Sequence, residues 1–198
     1  MSKTEKSSPI DVSQLSSDQL RQELEREKYK RNYISAIKGT IYTLITVAAV
    51  AVLVAVLFLP VLQIFGTSMT PTLAEGDIVL SLKHSSFETG DVIAFYYNNK
   101  ILVKRVIAQS GQVVDIDQSG TVTVNGVEVE EPYLSEKAFG DCNIKLPYQV
   151  PDGRFFVMGD QRDISVDSRN TAVGPVSQEQ IVGKIIFRVW PLAGFGGI

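Results

Sequence analysis

An uncharged run of 36 residues, from Gly39 to Ala74, restricts the possible folds of this chain more than any other feature. Within it, Ile41–Leu62 is almost entirely apolar, and its 22 residues would form a helix about 33 Å long. The hydrocarbon core of a bilayer is about 30 Å thick, and a single segment satisfies its backbone there only as a helix. A cleavable signal peptide would have a shorter apolar core behind a shorter leader. The sequence therefore predicts a transmembrane anchor over residues 39–62.

The charges on either side of this anchor predict its orientation. Five basic residues stand shortly before it: Arg26, Lys28, Lys30, Arg31 and Lys38. The first charges after it are Glu75 and Asp77, and no basic residue follows until Lys83. Because basic residues stay on the cytoplasmic side, we expect a cytoplasmic tail over residues 1–38 and an extracytoplasmic domain over residues 63–198 of a single-pass cell-membrane protein.

Composition excludes several kinds of site. Lys and Arg number 19 against 22 Asp and Glu, so the chain has no basic field for nucleic acid. The lone Cys142 cannot form an internal disulfide, and its role is open. The lone His84 excludes a multi-histidine metal site and is expected in a surface loop. We therefore expect no metal and no cofactor, and any catalytic base is expected among Lys, Asp and Glu.

The region after the anchor has the pattern of β structure. Strands are predicted where Val, Ile, Leu, Tyr and Phe concentrate between turn signals: residues 78–82, 92–97, 101–108, 155–158 and 185–190. Alternating residues on both sides of Asn125-Gly126 predict a tight hairpin over Thr121–Val129. The predicted fold class is mainly β, with one N-terminal transmembrane helix followed by a mostly antiparallel β-sheet domain.

Three segments of this domain carry candidate chemistry. Ser68 follows the anchor closely, which is also compatible with a simple membrane-exit turn. Lys104 shares a predicted strand face with Leu102, Val106 and Ala108, where burial would lower its pKa and make it a possible base for a serine. An edge strand with a snorkelling lysine is the alternative. The charged segment 159–169 is compatible with a solvated loop, a cation site or a buried network that braces a site.

Together these segments resemble the type I signal peptidases, the membrane-bound serine proteases that remove signal peptides from exported proteins. The resemblance covers four boxes in family order: Ser68–Leu73, Gly76–Val79, Lys104-Arg105 and Gly159–Arg169. With one anchor and a short outer domain, the chain looks like the compact forms of Gram-positive bacteria. The resemblance implies that the partners are signal peptides of exported preproteins and the lipid bilayer, with no nucleic acid; the oligomeric state is left open.

The resemblance also implies roles for individual residues. Ser68 matches the nucleophile, Lys104 the general base and Ser165 a serine that orients the lysine. A structural charge network matches Asp160, Asp167, Arg105 and Arg169, and Ile64 and Val103 match the walls of shallow pockets for small side chains at −1 and −3. The Ser68 N–H matches one oxyanion donor. Some relatives supply the other donor from a side-chain hydroxyl where this chain has Gly66, so the second donor stays open.

Two departures and two alternatives accompany this interpretation. The family usually has Asn in place of Gln161 and Gly-Asp in place of Gly111-Gln112, which bears on local bracing. A self-cleaving repressor-type protease also uses Ser and Lys on a related β scaffold, but it is soluble and carries a DNA-binding domain. A non-enzymatic, membrane-anchored β-domain envelope protein would share the architecture without needing Ser68, Lys104 and Ser165 together.

Overall fold

The computed structural model describes residues 16–83 and 86–198, and the chain divides into two compact units, Met1–Leu53 and Val54–Ile198. The surface-loop prediction for His84 lies outside the described residues, as does the first part of the predicted tail.

The first unit is helical. Helix α1, Ser17–Phe58, contains 42 residues and continues into the second unit. Its charged first half carries the exposed pairs Glu23–Arg26 and Glu27–Lys30, which contribute little to stability. In its apolar half, Thr43 and Thr46 donate their hydroxyls to carbonyls four residues earlier, so these polar groups are satisfied within the helix. Among the residues that the structure describes, none in this helix is buried.

In the described part of the chain, α1 alone is long and apolar enough to cross a membrane, with a mean hydropathy of 2.7 over its most apolar 18 residues. The helix ends at Phe58, four residues before the end of the predicted anchor. Pro60 explains this end, because proline has no N–H to donate and disfavours helical geometry in the preceding residue. Residues 61–63 instead form the first strand.

The second unit contains a large sheet of eight strands in the order β1-β2-β11-β3-β4-β9-β10, with β12 paired to β11. Every pairing is antiparallel. Its strands are β1 Val61–Gln63, β2 Ile78–Leu82, β3 Val92–Tyr97, β4 Lys100–Ala108, β9 Arg154–Met158, β10 Val176–Ser177, β11 Ile181–Trp190 and β12 Gly196–Gly197. The predicted fold class is confirmed, and all five predicted strands are present.

A smaller antiparallel sheet has the order β7-β6-β5-β8. Its strands are β5 Val113–Ile116, β6 Val122–Val124, β7 Val127–Glu128 and β8 Tyr148–Gln149. Asn125 and Gly126 both have positive φ, 52° and 79°, as a two-residue turn between β6 and β7 requires. The predicted hairpin is therefore confirmed.

Three buried clusters form the core of the second unit. One lies under the small sheet and includes Ile107, Ala108 and Phe156. Another joins Ile64 to Leu73 and Val79, and the third joins Ile93 to Val106. The face predicted for β4 is partly wrong: Leu102 packs with Val106, but Ala108 packs in the first cluster with Ile107. The register with β9 shifts between Val106 and Ala108, and this irregularity interrupts the alternation.

Candidate active site

Ser68 and Lys104 are in direct contact. Lys104 Nζ donates a hydrogen bond to Ser68 Oγ over 2.6 Å, although 36 residues separate the two in sequence. Lys104 is only 3% exposed on the central strand β4, whereas Ser68 lies half-buried in the loop after β1. The two candidate residues that the sequence analysis singled out separately therefore meet in one site.

The environment of Lys104 favours its neutral form. Burial lowers the pKa of Lys104 from 10.5 to about 8, and the positive charge of Arg169 also lowers it. The carboxylates of Asp167 and Asp160 act in the opposite direction and raise it. Desolvation prevails, so a neutral amine is available next to the serine hydroxyl near neutral pH.

Two bidentate ion pairs lie behind this contact. Arg105 donates from Nε and Nη2 to Asp160, over 2.9 and 2.7 Å. Arg169 donates from Nε and Nη2 to Asp167, over 2.9 and 2.8 Å. All four residues are buried, and such charges are tolerated because each is paired and further hydrogen-bonded. The pKa of Asp167 is lowered although burial alone would raise it, because hydrogen bonds and the charge of Arg169 stabilise its carboxylate.

Gly159 allows the charged segment to approach Ser68. A Cβ at this position would overlap Ser165 Oγ and the Ser68 carbonyl oxygen, so only glycine fits. Ser165 is fully buried beside it, and a hydrogen bond from its side chain helps to lower the pKa of Asp167. The Gln161 N–H donates to the Ser68 carbonyl over 3.0 Å, so the backbone at this departure from the family pattern braces Ser68.

The other departure has a local effect. The Gln112 side chain accepts a hydrogen bond from the Gln109 N–H over 2.6 Å, which closes the turn between β4 and β5. The main-chain carbonyl of Gln112 also accepts a hydrogen bond, from the Val150 N–H. A Gln at this position therefore supplies an acceptor for the turn, and it does not contact Ser68 or Lys104.

The loop that carries Ser68 is closed at both ends. The Ile64 N–H donates to the Asp77 carbonyl over 2.8 Å, and the Gly76 N–H donates to the Ile64 carbonyl over 2.9 Å. We call residues 64–77 the nucleophile segment, after the role that the family resemblance implies for Ser68. Within the described part of the chain, no group accepts a hydrogen bond from the Ser68 N–H, so this donor is available to a ligand. Gly66 has a φ of 81° and no side chain to offer a second donor.

An apolar groove of about 240 Å³ opens beside Ser68. It is lined by residues 62–66, 68–69 and 101–103. Ile64 is 4% exposed and packs in the same cluster as Val103, so the two residues matched to substrate pockets lie together at the groove. Among the described residues, no group of three or more His, Cys, Asp or Glu side chains is placed to hold a metal ion.

Several residues of the site were missed from the sequence. Arg162 pairs with Glu131 over 2.5 Å, and neither side chain is exposed. Tyr133 stacks under the Arg105 guanidinium at 3.9 Å, and burial raises the pKa of its hydroxyl. Arg162 belongs to a matched box, but Glu131 and Tyr133 come from a loop with no strand periodicity. No spacing in the sequence connects them to the site.

The match to known proteins decides the family. The family described as "Signal peptidase, peptidase S26" matches residues 37–190 of this chain. The chain belongs to the signal peptidase family. It is accordingly a membrane-associated serine endopeptidase, a hydrolase that removes signal peptides, and the two alternative interpretations, a repressor-type protease and a non-enzymatic envelope protein, are wrong.

Two relatives in sequence agree with this assignment, and one solved structure is reported beside them. Signal peptidase IB of Staphylococcus aureus strain Mu50 is 37% identical over 150 residues, which cover 66% of this chain and 77% of that protein. Thylakoidal processing peptidase 1 of Arabidopsis thaliana chloroplasts is 36% identical over 165 residues, covering 73% of this chain and 47% of that protein. A signal peptidase I from Enterococcus faecalis, solved as a crystal structure, is 28% identical and covers 50% of this chain and 97% of that one, with a TM-score of 0.44.

Proposed function

We propose that this signal peptidase cleaves preproteins with a dyad in which Ser68 is the nucleophile and Lys104 the general base. The hydrogen bond of 2.6 Å between Lys104 Nζ and Ser68 Oγ carries the proposal, since a nucleophile and its base must be within hydrogen-bond reach. Neutral Lys104 takes the proton of Ser68 as its oxygen attacks the scissile carbonyl. The protonated lysine gives this proton to the leaving amine as the peptide bond breaks, which leaves an acyl-enzyme and a neutral Lys104. The same lysine then takes a proton from the water that hydrolyses the acyl-enzyme and returns it to Ser68.

The proposed oxyanion donor is the backbone N–H of Ser68. It has no acceptor among the described residues, and a free N–H beside the attacking oxygen can stabilise the developing negative charge. Gly66 contributes no hydroxyl, so a second donor would come from backbone or water.

Ser165 is proposed to orient Lys104. Ser165 Oγ lies against the backbone of Gly159, beside Ser68. Its hydrogen bond to Asp167 uses the hydroxyl proton, so the oxygen still has lone pairs with which to accept a hydrogen bond. We infer that it accepts a hydrogen bond from Lys104 once Ser68 is acylated and no longer occupies the lysine. The ion pairs Arg105–Asp160 and Asp167–Arg169 brace this arrangement.

The groove is proposed to hold small residues of the signal peptide. Ile64 and Val103 offer branched aliphatic surface without a polar group, so charged or amide side chains find no partner on these two residues. Alanine at −1 and −3 is expected to be favoured, and a bulky residue at −1 is excluded by overlap.

The proposed topology follows the charge distribution. Residues 1–38 form a cytoplasmic tail, the apolar half of α1 up to Phe58 forms the anchor in the cell membrane, and the chain from β1 onward forms the extracytoplasmic peptidase domain. The apolar half of α1 from Ile41 to Phe58 is about 27 Å long, close to the thickness of a bilayer core. Basic residues precede this half, which supports an inside N-terminus. Anchoring enzyme and substrate in one membrane raises their effective concentration.

Cleavage of a preprotein by the full-length chain in lipid vesicles tests the proposal. The parent protein is expected to release the signal peptide, and the Ser68→Ala variant is expected to be inactive. Mass spectrometry of the product identifies the bond that is cut. Cleavage that persists in Ser68→Ala would refute the assignment of the nucleophile.

A further inference from the structure

Thr72 connects the nucleophile segment to one of the buried ion pairs through its side chain. Its hydroxyl donates to Asp160 Oδ2 over 2.5 Å and accepts from Arg105 Nη2 over 3.1 Å. Both hydrogen-bonding roles of this hydroxyl are therefore in use. The partners lie 33 and 88 residues away in sequence, so these bonds are tertiary contacts that fix the segment to β4 and to the turn after β9.

The main chain of the same residue is held from another direction. Arg188, on β11, donates from Nη2 to the Thr72 carbonyl over 3.1 Å and from Nη1 to Asp77 Oδ2 over 2.9 Å. The same carboxylate oxygen accepts from the Ala74 N–H over 3.0 Å. Asp77 is 3% exposed, so the ion pair between Arg188 and Asp77 is shielded from solvent on the side of the carboxylate. It joins the last part of the nucleophile segment to the sheet.

The contacts of Thr72 also restrain Ser68, because only a short stretch of chain separates the two residues. The Leu73 N–H donates to the Met69 carbonyl over 2.8 Å, and the Thr70 N–H donates to the Thr67 carbonyl over 3.0 Å, so two overlapping hydrogen-bonded turns connect Thr72 to Ser68. The next residue after Asp160, Gln161, donates its N–H to the Ser68 carbonyl over 3.0 Å. The nucleophile segment is therefore attached to the same short stretch of chain at two points, Ser68 O and Thr72 Oγ1.

The ion pair itself does not need Thr72. Arg105 and Asp160 already make two hydrogen bonds to each other, and Arg105 Nη1 also donates to the Gly90 carbonyl over 2.7 Å. Removing the Thr72 hydroxyl would leave these charges paired. The hydroxyl determines where the nucleophile segment sits relative to the pair, and hence where Ser68 sits relative to Lys104, which is on the same strand as Arg105.

We propose that Thr72 is a positioning residue for Ser68: its hydroxyl, held by Arg105 and Asp160, and its carbonyl, held by Arg188, fix the nucleophile at hydrogen-bond distance from Lys104. This inference rests on the proposed Ser68–Lys104 dyad and adds a residue to it. A displacement of about 1 Å at a reacting group can lower a rate about 100-fold. Thr72 does not line the groove, so it affects the chemical step rather than substrate binding.

The matched substitutions Thr72→Val and Thr72→Ser test this role. Val keeps the shape of Thr and removes the hydroxyl, whereas Ser keeps the hydroxyl and removes a methyl group. For Thr72→Val in the full-length protein, we expect kcat to fall about 10- to 100-fold with KM within about twofold of the parent. Thr72→Ser is expected to keep most of the kcat that Thr72→Val loses. Thr123→Val, the same change on β6 in the small sheet, serves as the control and should keep the parent kcat.

Thermal unfolding of each variant separates positioning from stability. The inference would be overturned if Thr72→Val kept the parent kcat, or if Thr72→Ser lost as much of its kcat as Thr72→Val. It would also be overturned if the fall in kcat only followed the fraction of protein that is folded. If Thr72→Val does not fold, Arg188→Lys replaces it, because one ammonium group then stands in place of the two Nη atoms that bond Asp77 and the Thr72 carbonyl separately. That variant must then show a lowered kcat at unchanged KM, and a parent-like kcat would overturn the inference.

The dyad is tested in the same assay by Ser68→Ala. An inactive Ser68→Ala protein together with a parent-like Thr72→Val protein would reject the role of Thr72 and leave the dyad intact. Activity in Ser68→Ala would reject the dyad itself.

Discussion

At the scale of single residues, the site depends on one hydrogen bond between Ser68 Oγ and Lys104 Nζ. Because the nucleophile and the base act as one unit, removing either should be as damaging as removing both. We expect Ser68→Ala and Lys104→Ala each to lower kcat/KM for a preprotein by at least about 1000-fold, and the double variant to be little worse.

Lys100→Ala is the matched control, since this lysine lies at the exposed start of the same strand. It should cleave the preprotein at the parent rate. Substantial cleavage by Lys104→Ala would show that another group removes the serine proton.

The pH dependence of cleavage reports the ionisation of Lys104. Burial lowers the pKa of Lys104 to about 8, and only the neutral amine can accept the proton of Ser68. Activity should therefore rise with pH, reach half its maximum near pH 8 and fall about tenfold for each pH unit below that. A profile of kcat/KM against pH, which reports the free enzyme, checks this. A midpoint at the ordinary lysine pKa of 10.5 would mean that the lysine is solvated.

The sequence patterns predicted Ser68 and Lys104, but they did not predict which residues surround this pair. Ser68 and Lys104 were predicted from their boxes, and their contact follows from tertiary structure that no local pattern contains. Glu131 and Thr72 were missed because their partners, Arg162 and Asp160, lie 31 and 88 residues away. Ion pairs and hydrogen bonds at such separations leave no periodic signal. The catalytic and bracing roles of all these residues stay predictions until variants are measured.

At the scale of elements, the turn after β9 approaches the nucleophile segment because position 159 has no side chain. We expect Gly159→Ala to destabilise the domain by about 1–3 kcal/mol and to abolish cleavage, since its Cβ would displace Ser165 or Ser68. Gly196→Ala is the control, because a Cβ there meets open space. Thermal unfolding and preprotein cleavage measure the two effects, and an active Gly159→Ala protein would contradict the close approach.

The groove between the start of the nucleophile segment and β4 should set the choice of residue at the cleavage site. Ile64→Ala is expected to admit larger side chains at −1 or −3 while turnover continues, because the change enlarges an apolar wall without touching the dyad. Mapping products by mass spectrometry on preproteins with Ala, Ser, Val or Phe at −1 tests this. Val61→Ala, on the exposed part of β1, should leave the choice unchanged. Equal cleavage after Phe and Ala by the parent would contradict the pocket assignment.

The long elements were predictable from sequence and the short ones were not. β2, β3 and the hairpin of β6 and β7 have clear alternation or apolar runs between turn residues. β8, β10 and β12 contain two residues each and exist only because a neighbouring strand pairs with them. The first two residues of β1, Val61 and Leu62, were assigned to the anchor because they are apolar, and Pro60 separates them from the helix.

At the scale of the whole molecule, the charge asymmetry around the apolar segment predicts the topology. In a Cys142→Ser background, a membrane-impermeant maleimide added to intact cells should label Gln118→Cys in the second unit and spare Glu25→Cys in the first. Both positions are exposed, so accessibility within the protein does not limit the reaction. After lysis both should react. Labelling of Glu25→Cys in intact cells would reverse the proposed orientation.

The closed ends of the nucleophile segment have a consequence for how such an enzyme evolves. Ile64 is hydrogen-bonded through its backbone to Asp77 and Gly76. The groove residue Ile64 is therefore held at the closed ends of the loop that carries Ser68, and the length of this loop is fixed. An insertion or deletion within residues 64–77 would alter substrate choice and chemistry together. Descendants can therefore acquire new cleavage preferences by exchanging side chains along the groove, whereas changes in the length of this loop would be removed by selection.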